Sequence, residues 1–190
     1  MIIMYTDYDD VTGVLAGYAQ QFTSEFADQV STLLSPPHEA DAIHAESVLA
    51  ANLAPFFFFG HGTKAGPTAQ NLAIIDFNQA PHLLSKRLVC ATCCESAEVL
   101  ENAMKNHKAS GIGYAGVVYL FLEAPYSGLM QECMLASPRA LARGESPSQA
   151  GSARDEFDRL ARELIKGSIE DQLHATFLNM NANRIRVFEH

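Results

Sequence analysis

The spacing of apolar and polar positions changes several times along the chain, and each spacing predicts an element. Residues 1–5 (MIIMY) form an unbroken apolar run that ends in the acidic segment Thr6-Asp7-Tyr8-Asp9-Asp10, the pattern of a buried first strand followed by a loop. Over residues 12–34, Val14, Leu15, Tyr18, Phe22, Phe26, Val30, Leu33 and Leu34 recur every three or four positions. This spacing predicts a helix stopped by Pro36-Pro37. Residues 41–53 predict a second helix with Asp41 as its N-cap. Residues 55–59 (PFFFF) suit a strand buried on both faces of a parallel sheet, broken by Gly60-His61-Gly62. A small strand at 73–75, a short helix at 78–84 and a buried strand at 87–91 come next. Residues 95–106 are helical by pattern, with Val99, Leu100, Ala103 and Met104 inward. Residues 111–122 read as a strand region whose glycine-rich start points to close backbone approach. Residues 152–165 predict an amphipathic helix, and the alternation over 184–188 predicts a late strand.

Strands that alternate with helices imply βαβ units, hence an α/β fold with a mostly parallel central sheet and helices on both faces. No internal repeat or linker divides the chain, so residues 1–190 are expected to form a single domain. Composition fits a soluble globular protein, with 48% hydrophobic and 18% charged residues. A net charge of -9 argues against sequence-independent nucleic-acid binding, which needs a basic surplus. No apolar run approaches the roughly 20 residues of a membrane span. The N-terminus lacks the basic region of a signal peptide. The four cysteines, Cys90, Cys93, Cys94 and Cys133, are a poor disulfide framework because three crowd together. A reduced, cytoplasmic protein without membrane or nucleic-acid partners is the expectation.

Two reactive segments follow predicted strands, where parallel sheets bind their ligands. One is Gly60-His61-Gly62. The other is Thr92-Cys93-Cys94-Glu95-Ser96. If the two strands are neighbours, an imidazole and a thiol emerge side by side, the minimum apparatus for nucleophilic acyl transfer. The Gly62 amide is a candidate oxyanion donor. A second reading makes Cys90-x-x-Cys93-Cys94 half of a metal or redox site, which would have to recruit His107 or Cys133 from a distance. Cys90 lies within the predicted strand, which is the wrong place for a thioredoxin-like pair.

At these residues the sequence resembles the caspase-like clan of cysteine peptidases, and within it the CHAT type. The matching segments are Phe59-Gly60-His61-Gly62, Cys93-Cys94-Glu95-Ser96, Gly111-Ile112-Gly113-Tyr114 and residues 143–150 (RGESPSQA). His61 and Cys94 lie 33 residues apart. That is shorter than the roughly 50 of animal caspases. The resemblance implies a three-layer caspase-hemoglobinase-like sandwich and a catalytic dyad of His61 and Cys94 without a required third residue. In its register Cys94 takes the nucleophile position and Cys93 the place of an alanine; a slip of one residue would make Cys93 the nucleophile. Gly62 and the Cys94 backbone would form the oxyanion hole. Asp7, Thr92, Gly113 and Tyr114 would contact substrate, and Asp7 would favour Arg or Lys before the scissile bond. Thr92 departs from members that carry a second carboxylate there. No cofactor and no metal are implied. The implied partners are a protein substrate and an activating protein, in a bacterial immune or cell-death setting such as antiviral defence. Arg139, Arg143 and Arg154 lie in or beside residues 138–152, read as a flexible loop open to self-cleavage. The alternative reading is a caspase-like binding or regulatory module without turnover.

Overall fold

The computed structural model describes residues 1–35, 42–69 and 72–190. β1 (Ile2–Tyr5) leads into α1 (Asp10–Glu25), and after a 3-10 turn the chain adds β2 (Thr32–Leu34). α2 (Ala42–Ala51) precedes β3 (Phe56–Phe59), which runs into a small meander of β4 (His61–Thr63), β5 (Gly66–Ala69) and β6 (Leu72–Ala73). β7 (Leu88–Thr92), α3 (Ser96–His107) and β8 (Ser110–Tyr114) follow. The chain closes with α4 (Tyr126–Ala142), α5 (Pro147–Ala150), α6 (Arg154–Leu164), α7 (Ile169–Arg184) and β9 (Ile185–Phe188).

The main sheet has six strands in the order β2-β1-β3-β7-β8-β9. All are parallel except β9, which runs antiparallel to β8 along one edge. The chain is therefore α/β with a mostly parallel sheet, as the alternation of elements predicts. β3 sits in the middle, and its four phenylalanines are no more than 1% exposed because successive side chains leave on opposite faces. Phe57 and Phe59 pack with Phe22 of α1 in a core that also takes in α4, α6 and α7. Phe56 and Phe58 face the second core, with Leu49 of α2 and Val99, Leu100 and Ala103 of α3. Each ring removed from water in this way contributes about 1.5–3 kcal/mol. No helix among the described residues is long and apolar enough to cross a membrane.

Four expectations are corrected. The predicted helix over 12–34 ends at Glu25; the apolar spacing continues, but Thr32–Leu34 pairs with β1 as the edge strand. The predicted strand over 111–122 stops at Tyr114, and the rest leaves the sheet as a crossover loop. Of the expected loop over 138–152 only residues 143–146 lie outside helices: 138–142 continue α4, where Arg139 is bound by Glu25 and Glu132, and α5 and a 3-10 turn take up the rest. The expected helix over 78–84 is a 3-10 turn at Pro81–Leu84. The expected N-cap Asp41 lies outside the described residues.

Candidate active site

β3 and β7 are neighbours and pair in parallel, with Phe59 opposite Thr92 as the last registered pair. The Gly60 N–H continues the ladder to the Thr92 carbonyl at 3.5 Å. His61 and Cys94 each stand two residues beyond that pair, at the carboxyl ends of two neighbouring strands. Gly62 tightens the arrangement. A Cβ there would lie 2.5 Å from Cys93 Sγ and 2.8 Å from the Cys94 carbonyl oxygen, so only glycine lets the two backbones approach this closely.

The chain turns sharply after β7. Glu95 takes a left-handed conformation (φ 56°), rare for a residue with a side chain, and α3 begins at the next residue. Ser96 holds the turn. Its hydroxyl donates to the Ala91 and Cys93 carbonyls, each at 3.0 Å, and accepts the Tyr114 N–H at 2.9 Å. Cys94 thus stands at the N-terminal end of α3, half-buried, while its backbone follows the turn. Its Sγ accepts the Val118 N–H at 3.3 Å.

The other three cysteines are buried. Burial pushes the Cys90 and Cys133 thiols up to about 12. Cys93 is raised further, by burial first and by neighbouring Cys94 second. Cys93 borders a small apolar void of about 20 Å³ with Phe56, Phe58 and Leu100. Cys90 belongs to the opposite core, so the Cys-x-x-Cys pair is split across the sheet. Among the described residues no group of three His, Cys, Asp or Glu is placed to hold a metal ion.

His61 has a partner that the sequence reading missed. Asp9, at the end of the loop after β1, approaches His61 Nε2 with Oδ2 at 3.0 Å. Its other oxygen, Oδ1, caps α1 by accepting the Thr12 N–H at 2.7 Å and the Thr12 hydroxyl at 2.8 Å. The Thr12 hydroxyl oxygen in turn accepts the Tyr8 and Asp9 amides at 2.9 and 3.0 Å. Desolvation alone would raise the Asp9 carboxyl, but the Thr12 and His61 hydrogen bonds outweigh it and hold it below its ordinary value. A carboxylate only accepts, so Nε2 carries the proton and Nδ1 is left as the basic nitrogen. The strand order β1-β3-β7 explains the grouping: the carboxylate follows one strand, the imidazole the next and the thiol the third. The signal in the sequence is the Asp9-x-x-Thr12 capping pattern directly after the first strand.

The four expected substrate contacts divide. Asp7 is exposed and, with Tyr8, Asp9, Asp10 and Leu122, lines an open depression of about 750 Å³. Thr92 is 1% exposed. Gly113 is interior, with Leu100 and Ser96 about where its Cβ would be. Tyr114 is a core residue whose hydroxyl meets Met134 Sδ at 3.8 Å. Their side-chain positions therefore face the cores, and the crossover loop after β8, through Leu122, supplies a wall of the depression. No family model, curated protein or solved structure matches the chain.

Proposed function

We propose that the protein is a cysteine endopeptidase of the caspase-like, CHAT type, which cleaves a protein substrate through a thioester acyl-enzyme. One observation carries this reading: Asp9, His61 and Cys94 follow three adjacent strands, with Asp9 on His61 at 3.0 Å and Cys94 the only cysteine that is not buried.

In the proposed reaction His61 Nδ1 takes the Cys94 proton, and Asp9 stabilises the imidazolium. The thiolate attacks the scissile carbonyl carbon. The resulting oxyanion accepts hydrogen bonds from the Gly62 and Cys94 amides. The geometry of β4 supports the first of these. Pro67, opposite Gly62, has no N–H and spends its carbonyl on Ile74 at 2.9 Å. That pair is therefore not hydrogen-bonded, and the Gly62 N–H points out of the meander's open edge. The C–N bond then breaks as the imidazolium protonates the leaving amine. Water, deprotonated by His61, attacks the thioester, releases the carboxylic acid and restores the thiol.

The acidic depression supports a preference for Arg or Lys, with Asp7 as the receiving carboxylate. The fold reading that goes with this function is the three-layer caspase-like sandwich. Its support is a helix-covered, mostly parallel sheet with the reactive residues at the carboxyl ends of β3 and β7. An activating partner and an immune role belong to the same proposal and rest on the sequence resemblance.

The test pairs a peptide library with iodoacetamide labelling. Cleavage by the wild type that is lost in Cys94→Ala and His61→Ala supports the reading, as does fast labelling of Cys94 that depends on His61. No cleavage, with slow labelling of Cys94 unchanged in His61→Ala, assigns the chain instead to a binding module without turnover.

A further inference from the structure

The crossover loop between β8 and α4 passes the candidate nucleophile, and it is gripped from two sides. On the sheet side, the Glu95 N–H donates to the Gly116 carbonyl at 2.9 Å and the Val118 N–H donates to Cys94 Sγ at 3.3 Å. On the other side stands the last turn of α7. The Ala115 N–H donates to the Arg184 carbonyl at 2.8 Å. The Arg184 guanidinium donates to the Val117 carbonyl and lies 4.8 Å over the Tyr119 ring.

Asn181 makes the most specific of these contacts. Its side chain holds Tyr119 by both backbone groups, accepting the N–H at 3.0 Å and donating to the carbonyl at 2.8 Å. Asn181 is fully buried, at 0% exposure. A buried amide is costly unless its polar atoms are paired; here two bonds go to the backbone of Tyr119 and the amide nitrogen also meets Met130 Sδ at 3.6 Å. Two bonds from one planar group fix both the position and the orientation of that peptide. Tyr119 is the residue next to the Val118 N–H that reaches the sulfur.

We propose that Asn181 is a positioning residue for the nucleophile: through Tyr119 it holds the Val118 N–H on Cys94 Sγ and so raises the fraction of Cys94 present as thiolate. The catalytic meaning of this rests on the peptidase reading, but the coupling of α7 to the thiol does not. An N–H donated to an anionic sulfur is worth roughly twice one donated to a neutral acceptor, so the contact favours the ionised form. The other charged or titratable groups around the thiol and its loop include His61, Glu95, Cys93, the Lys64–Glu98 pair and Arg184, with Glu123 in the loop and His174 and Tyr126 packed on its Phe121. None of them is removed by a change at Asn181.

The experiment measures the rate of Cys94 alkylation by iodoacetamide in the full chain between about pH 5.5 and about pH 9, where thiols ionise. Asn181→Leu removes both bonds to Tyr119 at similar volume. Asn181→Ser is a milder variant whose shorter side chain cannot span both backbone groups of Tyr119 and which leaves every neighbouring charge in place. A thermal melt reports on folding. For folded Asn181→Leu the acid-side rate is expected to fall about tenfold while the alkaline plateau stays within about twofold of wild type. A residue with only a structural role leaves that acid-to-alkaline ratio unmoved, and an unmoved ratio in the folded variant overturns the proposal. If Asn181→Leu does not fold, Asn181→Ser decides by the same ratio. Failure of the peptidase reading registers separately, as absence of peptide cleavage by the wild type with the ratio still shifted in the variants.

Discussion

Asp9 and His61 are 52 residues apart in sequence and 3.0 Å apart in space, and the carboxylate that joins them also caps α1. The two tasks use different oxygens. This makes the contact more than a surface ion pair: Oδ1 is pinned by Thr12, so Oδ2 cannot swing away from the imidazole without unmaking the cap.

Asp9→Asn separates the two tasks. Asparagine caps helices as well as aspartate, so α1 is expected to persist. Its amide does not stabilise an imidazolium, and peptide cleavage is expected to drop by about 10²–10⁴-fold. Asp9→Ala loses the cap as well, at a further cost of about 1 kcal/mol in stability. The pH dependence has a defined sign. The Asp9 carboxyl is held below its ordinary value, so its charge contributes stability above the unfolded value, and the contribution is lost as pH falls through the folded one. Melting temperatures of wild type and Asp9→Asn should therefore differ slightly at neutral pH and converge below about pH 4. A difference that grows in acid contradicts this account, and undiminished peptide cleavage by Asp9→Asn contradicts the catalytic one.

Gly62 offers a test of the close approach itself. The Cβ of Gly62→Ala meets a buried sulfur and a backbone carbonyl, neither of which can step aside cheaply. Overpacking of this kind costs about 1–3 kcal/mol and moves His61 relative to Cys94. Melts and cleavage assays should both register it. Adding Cys93→Ala removes the 2.5 Å contact but leaves the 2.8 Å contact with the Cys94 carbonyl. The double variant should regain part of the stability and little of the activity. Cys93→Ala alone should cost about 1 kcal/mol and leave Cys94 labelling intact. If it abolishes labelling, the nucleophile has been assigned to the wrong cysteine.

What could be read from the sequence follows from how local each feature is. β3 and β7 were legible because each is an apolar run ended abruptly by polar or glycine residues. Their adjacency was a topological guess that the sheet order bears out. The helix over 12–34 was over-extended because Val30, Leu33 and Leu34 keep a helical spacing while lying in a turn and an edge strand. A strand of three residues carries too little alternation to announce itself. The strand over 111–122 was over-extended for a related reason. Its apolar second half packs against α7, and Phe121 and Tyr119 meet Phe177 there. α7 escaped notice because its buried positions include Asn181 among Ala175, Leu178 and Ala182, which breaks the apolar stripe. Asp9 read only as part of the acidic loop after the first strand because its partner lies 52 residues away.

Arg87 was read only as the start of a strand, yet it is 1% exposed and has no carboxylate partner among the described residues. Its guanidinium instead donates to four carbonyls: Leu83 at 3.0 Å, Ala54 at 2.5 Å, Leu49 at 2.8 Å and Asn52 at 2.6 Å. Those groups lie in the last turn of α2, the segment leading into β3, and the turn before β7. Arg87 therefore ties together the starts of β3 and β7, the two strands that His61 and Cys94 follow. Lysine has three donors on one nitrogen and cannot span the same set. Arg87→Lys or Arg87→Met leaves buried carbonyls unpaired and should cost about 3–5 kcal/mol. For a chain of this size that lowers the melting temperature by on the order of 10 °C. A change of a degree or less would mean that water replaces the guanidinium.

On the proposed reading, Asp7 receives the basic side chain of the substrate. Three aspartates border the depression beside His61, but they are not equivalent. Both Asp9 oxygens are engaged, by Thr12 and His61. Asp10 sits in the first turn of α1, where the helix dipole already favours a negative charge. Asp7 precedes the helix and is exposed, which leaves it as the carboxylate best placed to meet a cationic side chain. Asp7→Asn should lower kcat/KM for substrates with Arg or Lys before the scissile bond by about 100-fold, the size of one lost charge-assisted hydrogen bond. Alkylation of Cys94 should be unchanged, because the dyad is untouched. Raising the salt concentration should weaken wild-type turnover of basic substrates and hardly affect the variant, since screening acts on the charge that the variant lacks. Undiminished cleavage after basic residues in Asp7→Asn would place the specificity pocket elsewhere along the sheet edge.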